Sequence, residues 1–179
     1  MTAVTVGALG EAGAAAVAMA PEEEVRLCCF RVGSDEMVLD IMRVREILRA
    51  VPLTPVPRAS HGVVGMLDLR GEVVPVLDLR VRFGLPPAED LSQRRLMVVL
   101  DHRRCWGLYV DAVSEVVRVP RSAIRPGQEV MSGEAAEIFA GVCHHRGRLL
   151  LMLNIHRLLL GVRTLSELTG ATHLPRSGT

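Results

Sequence analysis

Residues 65–83 read GMLDLRGEVVPVLDLRVRF, and residues 141–159, 76 positions on, read GVCHHRGRLLLMLNIHRLL, with Arg70-Gly71 standing over Arg146-Gly147 and no gap between the two stretches. Both carry one plan: strand, Arg-Gly turn, strand, short helix. The apolar run after each Arg-Gly (Val73, Val74, Val76 and Leu77, then Leu149 to Leu153) predicts a buried strand. Asp78 and Asn154 fall at matching positions before the helical turn, where a short polar side chain accepts from the first free helix N–H groups. Capping rather than catalysis is therefore the role expected of Asp78.

A second pair of segments repeats at a different offset. Residues 37–47, MVLDIMRVREI, lie 69 positions before residues 106–116, WGLYVDAVSEV, with Leu39, Ile41, Val44, Glu46 and Ile47 over Leu108, Val110, Val113, Glu115 and Val116. The change from 69 to 76 places about seven extra residues in the second half, and the Pro/Gly/Ser-containing stretch 120–133 is expected to hold them as a loop. Further β-type runs precede each block at 26–32 and 96–101, the first followed by the turn-prone Gly33-Ser34-Asp35. Each half thus reads as five short strands, too small for a two-sheet sandwich and best satisfied by a small closed barrel. Two such barrels are expected side by side, joined near residues 86–90.

The rest of the chain narrows the function. Its 179 residues allow one domain or two half-domains with a shared core. Hydrophobic residues make up 49% but are broken by charges too often for a membrane span. The basic residues, all arginine, number 21 against 20 acidic ones, so there is no basic surplus of the kind that marks a nucleic-acid binder. Aromatics are 3%, and Trp106 and Tyr109, three apart on one strand, point to opposite faces and form no stacking platform. Cys28, Cys29, Cys105 and Cys143 show no Cys-x-x-Cys spacing and are expected as buried thiols. Cys143-His144-His145 is a poor metal site, because strand neighbours face opposite ways. No nucleophile elbow, phosphate loop or H-E-x-x-H is present, and His61 and His102 read as exposed loop histidines, so no enzyme, metal or cofactor is expected. The Ala/Gly-rich residues 1–24 lack the basic start of a secretory signal and are expected as a disordered tail, as are residues 163–179.

These segments resemble the CheW-like coupling proteins of bacterial chemotaxis. The likeness rests on V-x-E-I at 44–47, LTPVPRASHGVVG at 53–65, LRGEVVPVLDLR at 69–80, GLYVDAVSEVV at 107–117 and the closing LLMLNIHRLL. It implies a mainly β fold of two five-stranded SH3-like barrels within residues 25–162, subdomain one about 25–85 and subdomain two about 92–162, with strand exchange between them possible. It implies a non-enzymatic cytoplasmic adaptor at membrane-associated receptor arrays. Its partners would be a CheA-like histidine kinase, the cytoplasmic tip of a methyl-accepting chemoreceptor and other CheW-like domains in rings, with no nucleic acid and no membrane insertion. A scaffold for a non-flagellar system, in pilus motility or development, is the nearer alternative; a small nucleic-acid-binding barrel is the distant one.

Carried over position by position, the receptor groove would be Val44, Glu46, Arg70, Leu96 and Val113, and the kinase-facing residues Met37 and Leu39. Two readings stand for several of them: the valines as core or contact, Glu46 as solvated charge or contact, and Arg70 as brace of its turn or partner residue. Asp68 stands where the family commonly has Asn.

Overall fold

The protein's computed structural model describes residues 22–160 and Val162; the expected tails lie almost wholly outside that range. In chain order the elements are β1 (Glu24–Val32), β2 (Asp35–Asp40), β3 (Val44–Arg49), β4 (Val63–Leu69), β5 (Glu72–Asp78) and α1 (Leu79–Arg82) in the first half. The second half has β6 (Arg95–Asp101), β7 (Arg104–Val110), β8 (Ala112–Pro120), β9 (Arg125–Pro126), α2 (Gly127–Val130), α3 (Gly133–Ile138), β10 (Phe139–His145), β11 (Arg148–Leu153) and α4 (Ile155–Leu159).

The strands form two sheets, ordered β8-β1-β2-β11-β10-β9 and β3-β6-β7-β5-β4. Each half lends its first two strands to the sheet of the other. The repeat survives this exchange residue for residue. The parallel ladder pairs Met152 with Val38 in one sheet and Val76 with Gly107 in the other, and the offsets of 76 and 69 carry the first pair onto the second. Both Arg-Gly pairs are two-residue turns with positive φ throughout, Arg70 at +55° and Gly71 at +83°, Arg146 at +50° and Gly147 at +77°. This is the mirror-type hairpin turn whose twist matches the strands it joins. Asp78 and Asn154 cap α1 and α4, accepting from the backbone N–H of Arg80 at 2.9 Å and of Arg157 at 3.1 Å.

The sheets are SH3-like without being closed barrels: neither ladder closes on itself through backbone bonds. Side-chain ion pairs bring the ends together instead. Arg45 and Glu46 on β3 reach Glu72 and Arg70 of the β4–β5 hairpin at 2.6 and 3.2 Å. In the other sheet Glu115 of β8 meets Arg148 of β11 at 2.5 Å.

One apolar cluster draws from both sheets: Cys28, Phe30 and Val32 of β1, Met97 and Val99 of β6, Trp106 and Leu108 of β7, and Leu158 of α4 are among its members. The alternate residues of the same strands face inward to their own sheet, Leu27 and Cys29 with Val117 and Leu150, Leu96 with Val76 and Tyr109. β1 and β6 are therefore buried on both faces, which is why they read as unbroken apolar runs. Trp106 and Tyr109 do lie on opposite sides of β7, in different clusters.

Two expectations are corrected. Stretch 120–133 is not a plain loop: it holds the edge strand β9 and the helical turn α2 and begins α3. Gly127 permits this, since a Cβ there would stand 2.1 Å from the carbonyl oxygen of Phe139. And Glu22 and Glu23, assigned to the tail, are held by the body, Glu23 through an ion pair with Arg121 at 3.0 Å and Glu22 as acceptor from the Ser122 hydroxyl.

All four cysteines are free and buried. Burial raises every one of these thiols, Cys29 to about 11 with the Glu115 charge adding to the effect. A thiol raised in the folded state contributes stability that is full below the unfolded value, about 8.5, and declines as pH rises toward the folded one. Stability is thus expected to fall between about pH 8.5 and 11, by on the order of 2 kcal/mol from Cys29 alone. Urea melts across that range check it, and Cys29→Val should flatten the slope.

Candidate interaction surface

The β4–β5 tip is the most prominent feature formed by the predicted site residues. Arg70 is 77% exposed, held out by its left-handed backbone, and its guanidinium meets the half-buried Glu46 on β3. Asp68 accepts from the Gly71 N–H at 2.8 Å, so its carboxylate fastens the turn. Beside them Arg45 donates to both Glu72 and the Cys105 sulfur, and the Arg45 hydrogen bond holds the Glu72 carboxyl below its ordinary value. The tip therefore presents one outward guanidinium on a frame of fixed charges. Such a frame limits how many rotamers a partner must immobilise on binding.

The other predicted residues divide. Val44, at the head of β3, and Val113, on β8, are both half-buried and pack on the cluster between the sheets. Each borders the seam from its own sheet, at repeat-equivalent positions. Leu96, Met37 and Leu39 are buried in the free chain, Leu96 with Val76 and Tyr109 inside its sheet, Met37 and Leu39 in the cluster between the sheets.

The surface also exposes apolar residues, two of which, Val73 and Leu149, correct the expectation that the runs after each Arg-Gly are buried throughout: the first apolar position of each run faces solvent. Ile47 and Val73 stand out from β3 and β5, Val73 with 67% of its surface free. Their repeat equivalents, Val116 and Leu149, are exposed on β8 and β11 in the same way. The strict in-out alternation of β3 was the available signal for Ile47. Cys143 is buried while His144 points out, which separates two of the three residues of the unfavoured metal reading.

Residues 26–162 match the profile of the CheW-like domain. The chain belongs to the CheW-like family. It is 36% identical over 129 residues to the chemotaxis protein CheW of Rhizobium meliloti, covering 72% of this chain and 83% of that one. It is 35% identical over 146 residues to protein FrzA of Myxococcus xanthus, covering 80% and 89%. Among solved structures, the scaffolding protein TtCheW from Thermoanaerobacter tengcongensis superposes with a TM-score of 0.71 at 26% identity, over 76% of this chain and 93% of that one. CheW-like proteins are non-enzymatic adaptors, and this one carries the family's scaffold over nearly its whole described length. No helix among the described residues is long and apolar enough to cross a membrane.

Proposed function

We propose that this CheW-like protein is a cytoplasmic adaptor of a chemosensory array, coupling methyl-accepting receptors to a CheA-like histidine kinase. The observation that carries the reading is the braced β4–β5 tip: an exposed Arg70 on a frame of ion pairs, with exposed apolar residues on the same sheet, inside a scaffold of the chemotaxis coupling family. A receptor tip is a helical hairpin, and an apolar strip with a few fixed charges is what an amphipathic helix requires. Val44, Glu46, Arg70 and Val113 form the proposed receptor side. The mechanism is assembly and transmission of a conformational state, with no chemistry of its own.

Arg70→Ala is expected to weaken co-sedimentation with receptor and kinase by about tenfold, the loss of one charge-assisted contact. Arg146→Ala, in the equivalent turn of the other sheet, should have a smaller effect. Equal and negligible effects would remove Arg70 from the site. Capture of the tagged protein from its own cytoplasm tests the pathway: a CheA-like kinase with a methyl-accepting receptor supports the reading, and recovery of neither removes its main support. A scaffold of a non-flagellar sensory kinase is the second reading that the family resemblance allows. The identity of the captured kinase separates the two.

A further inference from the structure

The repeat brings two equivalent places together in different ways. In the first, α1 meets the β1–β2 turn through a carboxylate: Asp111 accepts from Arg80 Nε at 2.7 Å and from the Gly33 N–H at 2.7 Å. The offsets of 76 and 69 carry Arg80 to His156 on α4 and Gly33 to His102 in the β6–β7 turn. There, too, a carboxylate stands beside both, that of Asp101. His156 Nδ1 stands 3.2 Å from His102 Nε2 and 3.3 Å from Asp101 Oδ2, and His102 Nε2 is 3.8 Å from Asp101 Oδ1. His102 takes up a φ of +52°, a conformation its counterpart Gly33 reaches without a Cβ, at +64°.

A proton satisfies this arrangement less completely than a cation that all three groups ligate. A neutral imidazole has one N–H and a carboxylate none. His156 Nδ1 faces an imidazole nitrogen and a carboxylate oxygen together, and a single N–H can be aimed at only one of them. In the counterpart the guanidinium of Arg80 supplies the positive charge. Among the histidines a cation accepted by all three groups does the same. Tetrahedral zinc, with bonds of about 2.0–2.1 Å, sets its ligand atoms roughly 3.3–3.4 Å apart. His156 Nδ1 already stands at about that distance from both of its neighbours, the three donor groups all lie within 4.8 Å of one another, and His102, whose side chain is 73% exposed, has room to close the rest.

We propose that Asp101, His102 and His156 bind a divalent transition-metal ion of the zinc type, with water as the fourth ligand. Two imidazoles and a carboxylate suit zinc, cobalt or nickel better than magnesium or calcium, which favour oxygen. The ion would pin the turn of one sheet to the helix that follows the last strand of the other. Arg103 and Arg104 line the same depression, of about 360 Å³.

The test uses the full chain, kept reduced without thiols. Zinc is titrated by calorimetry, and cobalt by its visible absorption, which reports tetrahedral coordination. One equivalent is expected to bind. His102→Gly installs the residue the repeat carries at Gly33 and relieves the backbone, so it should fold; it and His156→Ala should each weaken binding by at least about tenfold, the low end of what changes around a bound metal cause. The double variant His144→Ala, His145→Ala should bind as before. Zinc should raise the melting temperature of the parent chain and leave that of His102→Gly unmoved. No saturable binding overturns the site. So does binding that survives both His102→Gly and His156→Ala, or that disappears with His144 and His145.

Discussion

Asp111→Ala is expected to lower stability by about 3–5 kcal/mol, the cost of leaving a partly buried charge without its partner. In a protein of this size that is roughly 10 °C or more in melting temperature. Asp111 is buried at the junction of β7 and β8, where the chain passes from one sheet to the other, and it accepts from both Arg80 and Gly33. Its loss strands the Arg80 guanidinium, itself mostly covered, with one remaining acceptor in the Pro86 carbonyl at 2.6 Å. The double variant Arg80→Met, Asp111→Ala should recover part of the loss, since no charge is then left unpaired; denaturant melts of all four proteins measure the coupling. A single variant within about 1 kcal/mol of the parent would show that the pair is screened and carries little. The acid limb offers a second check. Burial pushes the Asp111 carboxyl up, but the hydrogen bonds from Arg80 and Gly33, with the charges of Arg80 and Arg94, outweigh it and hold it below its ordinary value. A depressed carboxyl contributes stability that is full above the unfolded value, about 3.9, and lost as pH falls through the folded one. Asp111→Ala should therefore flatten the acid limb below about pH 4.

Much of the strand plan was legible because the repeat carries it twice. Arg-Gly turns, the capping Asp78 and Asn154, and the paired offsets all rest on local chemistry that a single segment displays. The exchange of β1, β2, β6 and β7 between sheets is a different kind of fact. Similarity shows that Val38 and Gly107 are equivalent, but not whether each pairs within its own half or across. That choice is made by burial over the whole body: β1 and β6 are apolar on both faces and must lie between two layers, which neither half can supply alone.

The same property hid the surface. On a strand buried on both sides, alternation no longer marks the outside, so Met37, Leu39 and Leu96 look like any other apolar positions and prove to be core. Glu46 and Arg70 were readable because charge at a turn seeks solvent or a partner. That they seek each other across 24 residues, closing a sheet whose backbone stays open, depends on curvature that no local pattern encodes. His102 and His156 were separable only as lone histidines, although the repeat already placed them where Gly33 and Arg80 stand.

Gly65→Ala and Gly141→Ala, equivalent by the repeat, are each expected to cost about 1–3 kcal/mol by forcing backbone apart in a packed region. Each glycine stands at a register shift, in β4 and β10 respectively. At each a second segment of chain crosses close by. A Cβ on Gly65 would lie 2.7 Å from Leu53 Cβ and 2.9 Å from the Thr54 carbonyl oxygen, and one on Gly141 would lie 2.7 Å from the Arg125 carbonyl oxygen. The crossing segments are themselves equivalent: Thr54 bridges to Met66, and Arg125 pairs with Val142, the position 76 beyond Met66. In both halves the glycine is what lets an added edge segment lie against the hairpin. Its removal should loosen that edge first, so hydrogen exchange is expected to rise at Met66 in one variant and Val142 in the other before global stability is spent. Gly147→Asn is the comparison, since nothing lies within 4 Å of a Cβ there and Asn tolerates the left-handed φ of +77°. A cost at Gly65 or Gly141 no larger than at Gly147 would mean that the edge segments yield freely, and that close backbone approach is not the reason the repeat begins with glycine in both copies.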